Sequence, residues 1–133
     1  MSVRTFPATD EALREALEFV ETELEKNGCS MKNLMQIQVC VEEMFVNVAH
    51  YAYNGAEGTV TLDIDVDNGV MTITLTDEGM QFDPLAKKDP DITLAASERP
   101  IGGLGIFMVK KSMDEVEYKR EDNKNIFTMK KKI

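Results

Sequence analysis

No stretch of this chain is apolar over the ~20 residues needed to cross a bilayer, so no transmembrane helix is expected. A secretory leader is lacking too: Met1 to Asp10 offers Arg4 as its only base and no apolar segment, which points to the cytosol. Cysteine is scarce. Cys29 and Cys40 form no C-x-x-C pair and the chain has a single histidine, so a metal cluster or redox couple is not expected and both thiols are read as reduced. Basic charge is also short, with 15 Lys and Arg against 24 Asp and Glu and a formal net charge of −9. Such a surface repels phosphate backbones and anionic lipid, which excludes a nucleic-acid or membrane binder and suits a basic protein partner. Repeats, low-complexity tracts and linkers are absent, so the 133 residues are expected to form one domain, 1–133, large enough to bury a core without disulfide or metal staples.

What is present is a clear alternation of helical and strand patterns. Ser2 to Phe6 reads as a short edge strand. Thr9 or Asp10 can cap a helix with Leu13, Leu17, Val20 and Leu24 at helical spacing, stopping at Asn27-Gly28. Ser30 caps a second helix that runs to about Tyr53, where Asn54-Gly55 ends it. Val60, Leu62, Ile64 and Val66 then alternate with Thr61, Asp63, Asp65 and Asp67. An Asp67-Asn68-Gly69 turn leads into a return strand with Met71, Ile73 and Leu75 on its apolar face. From Gly79 to Gly103 periodicity is lost, and a connection of that length is usually functional. A short helix from about Leu104 to Met113 and two alternating segments, Glu115 to Glu121 and Asn125 to Lys131, complete the chain. This order predicts a two-layer α+β sandwich, one mostly antiparallel sheet with helices on a single face.

Three places carry polar or glycine residues that the packing pattern does not require. The second helix is apolar almost all round, with Val39, Val41, Met44, Phe45, Val46, Val48, Ala49 and Ala52, and is expected to be largely buried. Glu43 and Asn47 lie four apart on one of its faces, and Cys40 with His50 or Tyr51 extends that stripe. Asparagine disfavours helix interiors, so either Glu43 and Asn47 serve as a base and a ligand to hydrated Mg²⁺, or Asn47 is a hydrogen-bonded core residue beside a solvated Glu43. At the end of the return strand, period two carries the apolar face onto Asp77 and aims its carboxylate inward. It either accepts from an exocyclic amine such as that of adenine, with Gly79 letting a flat ring approach the backbone, or it is turn chemistry. The third place is Ile101-Gly102-Gly103-Leu104-Gly105-Ile106, glycines opening a helix whose N–H groups suit phosphate. It matches neither a Walker loop nor the dinucleotide fingerprint.

Taken together, these segments resemble the GHKL (histidine kinase-like) ATPase superfamily, and within it the stand-alone bacterial anti-sigma regulatory factor or serine-protein kinase family. Val41-Glu42-Glu43-Met44-Phe45-Val46-Asn47 resembles its N box, Asp77-Glu78-Gly79-Met80-Gln81-Phe82-Asp83-Pro84 its G1 box, and Gly102-Gly103-Leu104-Gly105 its G2 box. Ser112-Met113-Asp114-Glu115-Val116 is also typical of this branch. The resemblance implies a Bergerat-type ATP-binding fold in which Asn47 ligates Mg²⁺, Glu43 acts as general base, and Asp77 with Gly79 recognises adenine. It further implies that Gly102, Gly103, Leu104 and Gly105 meet the phosphates and that residues from about Leu85 to Gly102 form an ATP lid.

The chain departs from that pattern at three places. His50 and Tyr51 stand where many relatives carry an Arg-His pair, so His50 is read as a structural or rim residue. Arg99 is the nearest candidate for the arginine that meets the γ-phosphate, and Asn125-Ile126 replaces a common threonine pair, so no nucleotide contact is expected there. The resemblance implies a Mg²⁺-ATP-dependent protein serine/threonine kinase, binding ATP or ADP, that holds a sigma factor and phosphorylates an anti-anti-sigma (STAS-like) protein, with a homodimer plausible for the family. The alternatives are a non-catalytic ATP-dependent interaction module, an ATP hydrolase without protein acceptor, or an α+β domain without nucleotide.

Overall fold

The computed structural model describes residues 2–85 and 104–133. Strand β1 (Ser2–Pro7) is followed by a single 3₁₀ turn, Asp10–Ala12, which Thr9 caps by accepting from the Ala12 N–H. Helix α1 (Leu13–Lys26) buries Ala16, Val20 and Leu24 and ends before Gly28, whose φ of 73° reverses the chain. Ser30 Oγ accepts from Asn33 N at 3.2 Å and opens α2 (Met31–Asn47). The helix does not run on as α-helix to Tyr53. From Val48 to Ala52 it widens into a π-helical turn, a form that recurs at functional sites.

Strands β2 (Thr59–Asp67) and β3 (Val70–Asp77) form a hairpin. Its two turn residues, Asn68 and Gly69, have φ of 51° and 76°, as a type I′ turn demands. Helix α3 (Leu104–Ser112) leads to the second hairpin, β4 (Glu115–Glu121) and β5 (Lys124–Lys132), with positive φ at Asp122 and Asn123. The sheet order is β1-β2-β3-β5-β4 and every pairing is antiparallel. After β3 the chain therefore lands one strand away and returns through β5 to fill the gap. This is the sandwich the alternation predicts.

One face of the sheet carries the core. Leu62, Leu75 and Phe127 form one cross-strand row and Ile64, Ile73 and Met129 the next, all buried beneath the helices. The opposite face presents Thr61, Thr72, Thr74, Thr76 and Thr128, partly exposed, so each strand alternates wet and dry. Helix α2 packs against both α1 and α3. The expectation that it is largely buried holds on one side only: Leu34, Ile37, Cys40, Val41, Met44 and Phe45 face inward, whereas Met31, Met35 and Val39 are 67%, 61% and 44% exposed. Only one side of the helix meets the sheet, and α1 and α3 do not close over the opposite ridge.

Candidate functional site

A cleft of about 440 Å³, counting its open mouth, lies where the end of α2 crosses the ends of β3 and β5. Met44, Val48, Leu75, Pro84, Tyr118 and Phe127 provide much of its apolar lining, and Asn47, Asp77 and Asn125 are its polar groups. The sequence-predicted Asn47 and Asp77 are thus brought to one cavity by different elements. Asn47 is half-buried at the last residue of α2, and its amide has no hydrogen-bond partner among the described residues. The alternative of a hydrogen-bonded core asparagine does not describe it.

Glu43, one turn earlier, is half-buried against the start of α3. A Cβ built on Gly105 would collide with its Oε2, so the glycine leaves room for this carboxylate at the helix entrance. Like Asn47, Glu43 makes no hydrogen bond or ion pair among the described residues. Leu104 begins α3. Arg99, Gly102 and Gly103, and the lid expected from about Leu85 to Gly102, lie outside the described residues apart from Leu85 itself.

Asp77 is 6% exposed, and its Oδ1 accepts from Gly79 N and from Asn125 Nδ2, each at 2.9 Å. These bonds offset the cost of burying the carboxylate and leave Oδ2 without a hydrogen bond among the described residues. Gly79 also has a packing reason to be glycine. Its missing side chain faces the Ala52 carbonyl, which a Cβ would strike, and Met80 N donates to that same oxygen at 2.7 Å. Gly79 is glycine so that the strand-end loop can dock on the π turn.

The π turn also separates two neighbours. Tyr51 lines the cleft, whereas His50 points away and its Nε2 lies 2.8 Å from Oδ1 of Asp10 in the 3₁₀ turn before α1. Of the two residues offered to extend the stripe of Glu43 and Asn47, Tyr51 is the one at the cleft, and His50 pairs with Asp10 away from it. Tyr53 closes the turn from below: its hydroxyl donates to Thr59 O and accepts from Glu78 N, tying the start of β2 to the end of β3.

No nucleotide contact is expected at Asn125 from the sequence, but within the protein this residue holds the floor of the cleft together. Its Oδ1 accepts from Tyr118 Oη at 2.6 Å and Arg120 Nη1 at 3.2 Å, and Arg120 also donates to Gly79 O at 2.8 Å. Burial, more than any neighbouring charge, pushes the Tyr118 phenol above its usual range. The signal in the sequence was Asn at an inward position of an otherwise apolar strand face, the same signature that marks Asp77. Cys40, buried behind α3, likewise has its thiol raised by burial and is a packing residue.

An antiparallel five-stranded sheet under three helices, with the cleft between the central helix and the strand ends, is the architecture of a histidine kinase-like ATPase domain. That family matches residues 6–131, and the chain belongs to it. More particularly, a serine-protein kinase RsbW of Halalkalibacterium halodurans is 33% identical over 109 residues, covering 78% of this chain and 65% of the relative. An anti-sigma F factor of Geobacillus kaustophilus is 27% identical over 96 residues, or 71% of this chain and 66% of that protein. The matched segments thus span just under two thirds of these relatives. The solved RsbU and RsbW domains from Mycobacterium tuberculosis share the fold, with a TM-score of 0.65 over 99% of this chain and 32% of that one at 13% identity.

Proposed function

We propose that this chain is a single ATP-binding domain that transfers the γ-phosphoryl group of Mg²⁺-ATP to a serine of a small anti-anti-sigma (STAS-like) protein and captures a sigma factor. The observation that carries the reading is the convergence on one apolar cleft of Asn47 and Asp77, with Glu43 one helical turn before Asn47 beside Gly105 of α3, three polar groups with hydrogen-bonding capacity unspent among the described residues. The names of the relatives, a serine-protein kinase and an anti-sigma factor, support it.

In this reading Asp77 Oδ2 accepts from the adenine amine while Val48, Tyr51 and Pro84 hold the ring out of water. The N-terminus of α3, which begins at Leu104 and includes Gly105, receives the phosphates, and the contacts proposed for Gly102, Gly103 and Arg99 fall outside the described residues. The donor set at the cleft fits magnesium, an ion held by one or two protein oxygens and otherwise by phosphates and water: Asn47 offers one unpaired amide oxygen. When bound there the ion neutralises phosphate charge, which an acidic chain needs. Glu43 receives the proton of the incoming serine hydroxyl as its oxygen bonds to phosphorus and the bond to ADP breaks. The chain is proposed to act in the cytoplasm, as a homodimer.

Calorimetric titration of the folded protein with Mg²⁺-ATP, paired with transfer of labelled γ-phosphate, tests the proposal. Glu43→Gln is expected to keep ATP affinity within a small factor while transfer falls by about 10²–10⁴. Folded protein that binds no ATP would refute the reading. Transfer that survives the substitution would remove Glu43 as base, and hydrolysis without any acceptor would leave an ATPase in place of a kinase.

A further inference from the structure

The run Ser112-Met113-Asp114-Glu115-Val116 joins the end of α3 to the start of β4, and none of it lines the cleft. It clips α3 to β5. Ser112, the last residue of the helix, accepts at its carbonyl oxygen from Lys131 Nζ at 2.8 Å, and its hydroxyl lies beside the Cys40 thiol of α2. Asp114 N donates to Lys130 O at 2.9 Å, and Asp114 Oδ2 accepts from Lys132 N at 2.7 Å. Lys131 is the unexpected member. It continues the inward series of β5 after Asn125, Phe127 and Met129, and half-buried there it forms no ion pair among the described residues. An ammonium in such a place needs an acceptor, and it takes the C-terminal carbonyl of α3, at the negative end of the helix.

Helix α3 has nine residues, about 13 Å from end to end, and near its other end Gly105 stands against the Glu43 carboxylate. A tilt of only about 5° at the clipped end carries the far end through about 1 Å, enough to misdirect N–H groups from a ligand they hold. On the reading that the phosphates meet α3, on which this step rests, we infer that Lys131 is a positioning residue for them, fixing the C-terminus of α3 from the sheet so that its N-terminus stays beside Glu43. Its own charge acts little on the phosphates, since a whole helix separates them, longer than the Debye length in physiological salt. Lys131 should then matter to ATP and be indifferent to adenosine, which has the base without phosphate.

Calorimetry with Mg²⁺-ATP and with adenosine on wild type, Lys131→Met and Lys130→Met, with folding checked by circular dichroism, tests this. Methionine at 131 keeps an apolar stem and removes the donor. Lys130→Met removes the same charge from the opposite face of the sheet and leaves the main chain, which is all that Lys130 gives the clip. Lys131→Met is expected to weaken ATP binding by about tenfold while adenosine stays within about twofold. Lys130→Met should leave the ratio of the two affinities unchanged. Equal loss of both ligands in Lys131→Met would make Lys131 a prop for the whole domain, and an equal fall of the ratio in Lys130→Met would make the effect one of bulk charge; either overturns the inference. If Lys131→Met does not fold, Asp114→Ala, which removes the acceptor of Lys132 N, is measured instead, and an unchanged ratio overturns it. Wild type that binds ATP more tightly than adenosine and keeps that ratio in Lys131→Met retains the ATP reading and sinks only this one. Wild type that binds no ATP removes both.

Discussion

The phenol of Tyr118 donates to Asn125 Oδ1 across 2.6 Å, and burial holds its pKa above the ordinary 10.0. A group whose folded pKa is raised adds stability that is complete below its unfolded pKa and is lost as pH climbs through the folded one. The unfolding free energy in urea should therefore decline as pH passes above 10.0, and Tyr118→Phe should flatten that decline. An alkaline slope identical in the two proteins would show that this phenol is not the group responsible. At this scale the sequence was informative about Glu43, Asn47 and Asp77, because a polar residue on an apolar periodic face is visible in the chain itself. Asn125 bears the same mark, but its importance comes from partners such as Asp77, 48 residues away, that meet it only through strand register.

Among the elements, the strands were the most legible, since alternation at period two dictates both the strand and its buried face. The π turn was not. Val48-Ala49-His50-Tyr51-Ala52 has the composition of any α-helical segment, and nothing local distinguishes the wider turn. What holds it is tertiary: Ala52 O accepts from Met80 N, and Gly79 packs against the same carbonyl. Gly79→Ala inserts a methyl where backbone already stands and is expected to cost about 1–3 kcal/mol through overpacking. Urea denaturation should show the midpoint falling with an unchanged m value. A midpoint equal to wild type would mean that the loop and the turn can separate freely.

For the molecule as a whole, the core is a single sheet face pressed against α1 and α2. Phe45 is 0% exposed and meets Phe6 of β1 edge-on, with ring centroids 6.4 Å apart and planes at 75°. Phe45→Ala should destabilise the protein by about 3–5 kcal/mol, a large share of the 5–15 kcal/mol that such domains possess. The value is checked by chemical denaturation monitored in the far ultraviolet, and a loss below about 1 kcal/mol would place the core's weight elsewhere. Layer order and strand pairing were readable from hydropathy because antiparallel hairpins are local. The cleft floor was not, because it is assembled where the two hairpins meet.

The π turn has one further consequence, for which changes in this segment the protein can absorb over evolutionary time. Exchanging a residue between Val48 and Ala52 alters one side chain. Deleting one alters the phase of everything after it, moving Tyr51 off the cleft and pulling the Ala52 carbonyl away from the loop it anchors. The number of residues in this segment should thus be held as strictly as the side chains of Val48, Tyr51 and Ala52 that line the cleft, a spacer that carries information in its length as well as its composition.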